Sequence, residues 1–238
     1  RNAMPQNKPG VNKMVIAVFI VLIVILALVA VVPMIASMVM GPGVRTEGLS
    51  AEDAEPATTD LNGEWQVARI RDENTTSVGF TFFEILPGER KHTSGSTQNV
   101  EGFAEIEGGS LTAGEVVVDM ASVSTDNERR DINVRNKILS TDEYPTATFT
   151  ITEPADVSAV PDDGTVGTVT LTGDLEVRGV SKPVTHEFDV LRDGEHVIVA
   201  GDIPINRHEY GVESPDFVAA SIDDEGELNI RLSLEKTE

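Results

Sequence analysis

The sequence predicts an all-β domain, an antiparallel sandwich or barrel with one or two short helices, carried behind a single N-terminal transmembrane helix. Three observations carry this reading: a long apolar run near the N-terminus, many short stretches in which apolar and polar residues alternate, and clusters of Gly, Pro and Asp between those stretches. At about 150 residues per domain, 238 residues accommodate one ordinary domain plus an appendage.

The appendage comes first. Residues 14–40 read MVIAVFIVLIVILALVAVVPMIASMVM, with no charge and with Ser37 as the one ordinary polar side chain. At about 1.5 Å per residue, a helix over 14–32 covers roughly 28 Å, close to the ~30 Å hydrocarbon core, and Pro33 marks its outer end. A cleaved secretory signal is the alternative, and Ala36 and Ser37 offer it a weak cleavage site, but its apolar part is typically only about 7 to 15 residues. Lys8 and Lys13 precede the run and every acidic residue follows it, from Glu47 onward. Residues 1–13 are therefore expected in the cytoplasm and the C-terminal part outside it. The chain has no cysteine, which removes disulfides, thiolate metal sites, thiol nucleophiles and a lipid-modified cysteine together.

Residues 41–60, GPGVRTEGLSAEDAEPATTD, offer little to bury and read as a linker. The folded domain is expected over 61–238. Within it, Val78, Phe80 and Phe82 alternate, as do Val116, Val118 and Met120. Longer faces follow: Val169, Leu171, Gly173, Leu175 and Val177; Val184, His186, Phe188 and Val190; and Leu228, Ile230, Leu232 and Leu234. Each is the period-two pattern of a half-buried strand. Pro87-Gly88, Gly108-Gly109, Asp162-Asp163-Gly164, Asp193-Gly194 and Asp224-Glu225-Gly226 supply the turns between strands. Residues 126–140, DNERRDINVRNKILS, break the rhythm and allow a short helix. Tyr144-Pro145 then returns the chain to extended geometry, because a residue before proline disfavours the α region.

Charge excludes some functions. From residue 46 onward the chain carries 14 basic against 40 acidic side chains, a net charge of −26. Such a surface repels phosphates, so nucleic-acid binding is set aside and docking of the acidic body on an anionic lipid surface is disfavoured likewise. None of His92, His186, His196 and His208 has metal-ligand spacing, and the acidic cluster Asp223-Asp224-Glu225 lacks the ligand pattern of a calcium loop. No nucleophile elbow, phosphate-binding loop or dinucleotide fingerprint occurs, so neither an enzyme nor a cofactor is expected.

Several segments together resemble one family. Ser124-Thr125, Arg130-Asp131, Leu139 and the run EYPTATF over 143–149 form the central constellation. Trp65 in the first strand, the segment 77–80, Gly173-Asp174-Leu175 with RGVSKPV over 178–184, Asn206-Arg207 and Tyr210-Gly211-Val212 follow in the expected order. On these residues the chain resembles the YceI-like family of lipocalin-like lipid-binding proteins over about 61–234. Glu84 stands where that family commonly has a histidine, and the stretch 87–99, read as a loop, is atypical.

The resemblance implies an antiparallel barrel of about eight strands whose interior holds a long apolar chain such as a polyisoprenoid or a fatty amide or acid. The inward candidates are Phe80, Phe82, Val118, Met120, Phe149, Leu171, Leu175, His186 and Phe188, which serve equally as plain core if the interior is filled. Arg130, Arg178 and Lys182 are the head-group candidates. Arg130 with Asp131 also suits bracing of the short helix, and Arg178 and Lys182 suit a hairpin turn. The expected protein is thus a membrane-anchored lipid carrier or sensor at the outer face of the membrane, its oligomeric state, including a homodimer, left open. Two alternatives stand beside it: an exported protein-interaction module with a packed barrel, and a hydrolase whose paired carboxylates lie in the barrel mouth.

Overall fold

The computed structural model describes residues 13–39, 41–86, 89–213 and 221–237. The expected cytoplasmic segment up to residue 12, Met40 and the turn at Pro87-Gly88 lie outside the described residues. Helix α1, Lys13–Val39, is long and apolar enough to cross a membrane: Met14–Val32 has a mean hydropathy of 3.7 and none of it is buried against the rest of the chain.

Among the described residues eleven strands follow: β1 Gly63–Ala68, β2 Ser77–Leu86, β3 Glu89–Thr97, β4 Val100–Glu107, β5 Ser110–Asp119, β6 Thr146–Ile151, β7 Ala155–Asp156, β8 Val166–Val177, β9 Val180–Asp193, β10 His196–Asn206 and β11 Ser221–Lys236. β1 and β2 both pair with β11, Trp65 opposite Lys236 and, after the loop 69–76, Ser77 opposite Arg231. They form one interrupted wall strand. β3 and β4 form the next, with Thr97 opposite Val78 and Phe103 opposite Gln66. From there β5, β6, β8, β9, β10 and β11 complete an antiparallel barrel of eight strands, closed where β11 meets β1. Closure leaves no long unpaired edge in the wall among the described residues.

The two ends differ. At one, Trp65 is 2% exposed, its indole Nε1 donates to the Leu61 carbonyl at 2.8 Å, and Val157 and Val160 join the same apolar cluster. This end is plugged. At the other, Ala147, Leu175, Val177, Tyr210 and Val212 form a smaller cluster beside helix α2, Glu128–Asn133. Asn127 starts α2 by accepting from the amides of Arg129 and Arg130, and a wider π-helical turn, Val134–Leu139, continues it to Ser140 at φ 51°. The helix foreseen over 126–140 is therefore present. The β8–β9 hairpin turns on Arg178 and Gly179, both at positive φ, as a two-residue type I′ turn requires.

Four features depart from the sequence reading. Residues 41–60, expected as a free linker, form a strap along the outer wall. Pro42 and Val44 pair with Ser94 of β3, the Thr46 and Ser77 hydroxyls meet at 2.7 Å, the Ser50 amide donates to Asn74, and the Glu55 and Thr58 amides donate to Asp193 and Gly194 at the plugged end. The strap holds largely through its backbone groups, which composition does not reveal. Second, most of the stretch read as an atypical loop is β3, a strand without apolar alternation because Thr93, Ser94, Ser96 and Thr97 are all buried as hydrogen-bonding residues. Third, Asp224-Glu225-Gly226 is no turn; it lies within β11, where the register shifts between Ile222 and Gly226. Finally, β4 and β10 escaped the alternation test, β10 because Val197 and Ile198, on opposite faces, are both buried.

Candidate ligand cavity

The barrel is hollow. A cavity of about 630 Å³ runs through it, within the range of ordinary ligand sites and with room for on the order of twenty water-sized groups. Its walls are the inward faces of the strands: Val78, Phe80 and Phe82 from β2, Val116 and Val118 from β5, Leu171 and Leu175 from β8, Phe188 and Val190 from β9, and Leu228, Ile230 and Leu232 from β11.

What keeps the interior open is the pairing of inward aromatics with glycines. A side chain on Gly95 would begin 2.9 Å from the Phe80 ring, on Gly226 2.4 Å from Phe82, on Gly173 2.8 Å from Phe149, and on Gly201 2.7 Å from Phe188. Four rings thus lie across bare backbone on a neighbouring strand. They fold back against the wall instead of projecting across the lumen, and so supply apolar surface without filling the volume.

Polar residues reach the cavity mainly from three elements at the unplugged end. Arg129, Arg130, Asn133 and Lys137 come from α2 and the π turn, Glu84 and Thr93 from the β2–β3 hairpin, and Arg207 and Ser221 from the β10–β11 connection. We take this end as the mouth. Thr93 donates to Glu84 at 2.9 Å. The Arg130 side chain is 9% exposed and is held by Asp126 at 2.9 Å and by the Gly41 carbonyl at 3.1 Å. Arg207, at 8%, donates to the Asp223 and Val212 carbonyls and to the Asp224 carboxylate. Next to it, His208 bonds Asp224 at 2.8 Å and Glu213 at 3.3 Å. These bonds, Asp224 first, raise the His208 pKa above its ordinary value, and the bond to His208 depresses that of Asp224.

Among the residues singled out from sequence, Phe80, Phe82, Val118, Met120, Phe149, Leu171, Leu175 and Phe188 lie on the cavity wall. His186 does not. It shares the inward register, opposite Leu171, but its ring packs edge-on against Phe188 at 5.1 Å and does not line the cavity. Of the basic candidates, Arg130 borders the mouth, although its partner is Asp126, while Asp131 accepts from Thr125. Arg178 is committed elsewhere: its guanidinium donates to the Gly211 carbonyl and to Ser140 and lies 5.7 Å from the Tyr144 ring. Lys182 pairs loosely with Glu209 at 3.9 Å. Arg178 stands outside the cavity because the tight hairpin turn at the barrel's end projects it onto neighbouring loops, and Lys182, within β9, does not line the cavity either. Sequence reasoning missed Arg129, Lys137 and Arg207. The first two lie in the predicted helix, Arg129 next to Arg130 and Lys137 seven residues or two turns beyond it, and that clustering of basic residues was the available signal.

The model of the YceI-like domain matches residues 70–234. Protein YceI of Shigella flexneri and that of Escherichia coli O157:H7 are each 38% identical over 81 residues, a segment that is 34% of this chain and only 38% of either relative. Among solved structures, BcnA of Burkholderia cenocepacia aligns with a TM-score of 0.54 at 20% identity, covering 66% of this chain and 95% of its own. A polyisoprenoid-binding domain from Saccharophagus degradans, implicated in plant cell wall breakdown, aligns with a TM-score of 0.54 at 16% identity, covering 73% of this chain and 98% of its own. At these identities the structural likeness concerns the fold.

Proposed function

The chain belongs to the YceI-like family, and from that premise we propose that it binds and shields a long apolar lipid, a polyisoprenoid or a fatty amide or acid, inside the barrel at the outer face of the membrane that holds α1. The observation that carries the proposal is the hollow, hydrocarbon-walled interior. Burial of each methylene contributes about 0.8 kcal/mol, so ten buried carbons supply about 8 kcal/mol before the entropy of holding the ligand is subtracted. The naming of the Saccharophagus degradans domain for polyisoprenoid binding supports the ligand class. The action is sequestration without bond chemistry, and the polar groups at the mouth would meet whatever head group the lipid carries.

A filled interior was the requirement of the protein-interaction alternative, and the 630 Å³ cavity argues against it. Leu171 stands on the wall midway along β8, where an inserted guanidinium would lie in the path of an apolar chain. Leu171→Arg is expected to abolish uptake of a fluorescent polyprenyl or fatty-amide probe while leaving the far-UV circular dichroism of a β protein. Unimpaired uptake in the folded variant would place the ligand elsewhere.

A further inference from the structure

The strap brings the end of the apolar helix to the cavity mouth. Val39 closes α1, and two residues later the Gly41 carbonyl accepts from Arg130, which borders the mouth. At no more than about 3.6 Å per residue, the helix end lies within about 7 Å of Gly41. The chain is fixed from there on, because the Ser94 amide donates to Pro42 and the Val44 amide to Ser94. Gly43, at φ 88°, passes so close that a Cβ would sit 1.8 Å from the Ser94 carbonyl oxygen, a fit open to glycine alone. The strap then leads away from the mouth to Asp193 and Gly194 at the plugged end.

The rim of the mouth has a composition to match. Ile132 on α2 is 47% exposed, and Arg129 and Lys137 are exposed beside it in the same helical segment. Ile85, on the hairpin across the mouth, is 47% exposed as well. Residues 126–140 hold four basic against three acidic side chains, whereas the chain as a whole stands at −22. Arg129 and Lys137 suit anionic head groups and the acidic body does not; Glu84, Glu213, Asp223 and Asp224 also stand around the mouth, so the strap and not net charge turns this end toward the bilayer.

We propose that the cavity mouth lies against the bilayer that holds α1, with Ile132, Arg129 and Lys137 seated among anionic head groups, so that a lipid passes between leaflet and cavity without crossing water. The proposal rests on the reading of α1 as a membrane anchor. The absence of cysteine makes the test clean. The full chain carrying Ile132→Cys, or Glu195→Cys in the exposed β9–β10 turn at the plugged end, is labelled with a fluorophore and reconstituted into phosphatidylcholine–phosphatidylglycerol vesicles containing a nitroxide lipid. Quenching is expected to be several-fold stronger at position 132 than at 195. Adding Gly43→Val, or Arg130→Gln should that variant not fold, is expected to bring the two positions toward equality by releasing the strap. Equal quenching in the unmodified strap background, with the chain still floating with the vesicles, overturns the orientation alone; a chain that no longer floats with them overturns the anchor reading as well.

Discussion

Gly201 shows how single residues keep the cavity open. A Cβ there would meet Phe188 Cδ1 at 2.7 Å, so Gly201→Val must push that ring toward the lumen. Overpacking of this kind costs about 1–3 kcal/mol, and the variant is expected to melt earlier and to take up shorter chains than the parent in a ligand-length series. The alternation in the sequence revealed the wall residues Phe80, Phe82 and Phe188 but not their hollow arrangement, because that depends on which strand brings a glycine opposite each ring. At the mouth, His208 and Asp224 form a pH-dependent clasp. His208 has a raised pKa in the folded chain, so its contribution to stability is complete below the ordinary histidine value and is lost as pH rises through the folded one. Asp224 has a depressed pKa, so its contribution is complete above the ordinary aspartate value and is lost as pH falls through the folded one. Both are present together between about pH 4 and 6.5. Asp224→Asn is expected to lower the His208 pKa toward its ordinary value in an NMR titration; an unmoved midpoint would mean that Glu213 alone holds the ring.

Among the elements, the strap was the least legible in the sequence. Its composition of Gly, Pro, Ala, Thr and acidic residues matches that of a linker, and most of its attachment relies on backbone amides and carbonyls that any sequence possesses. Its footprint on the wall is polar too. The Thr81 hydroxyl meets Ser94 at 2.8 Å and donates to Asn229 at 2.6 Å, and the Asn229 amide donates to Asp202 at 2.7 Å, a ladder across β3, β2, β11 and β10. Arg45 of the strap reaches the same Asp202 at 3.1 Å. Buried hydroxyls read as loop residues when the segment that covers them is taken for a linker, which is why β3 was missed. Thr46 is 2% exposed and bonded to Ser77. Removing its hydroxyl with Thr46→Val leaves a buried partner unsatisfied, at a cost of about 1–3 kcal/mol. A chain that starts at residue 61 loses the whole strap and is expected to melt several degrees below one that starts at residue 41; equal melting temperatures would show the strap to be a passive tether.

Across the whole molecule, order and spacing of motifs made the barrel readable where no single motif did. Pairing of β1 and β2 with one continuous β11 closes the sheet, and closure is what turns alternating apolar faces into an enclosed volume. Whether that volume is filled depends on side-chain directions and on neighbours distant in sequence, so the cavity became visible only in three dimensions. The hollow barrel, the strap that ends at its mouth and the apolar helix are the parts that the proposed arrangement, a lipid-holding barrel with its mouth beside the membrane, draws together. The most direct test of the central claim is native mass spectrometry of residues 41–238, strap included, after expression in a lipid-rich host. The expected result is a stoichiometric long-chain lipid that is released on denaturation and absent from Leu171→Arg. A wild-type protein that emerges without lipid and takes up neither polyprenyl nor fatty-amide chains would contradict it.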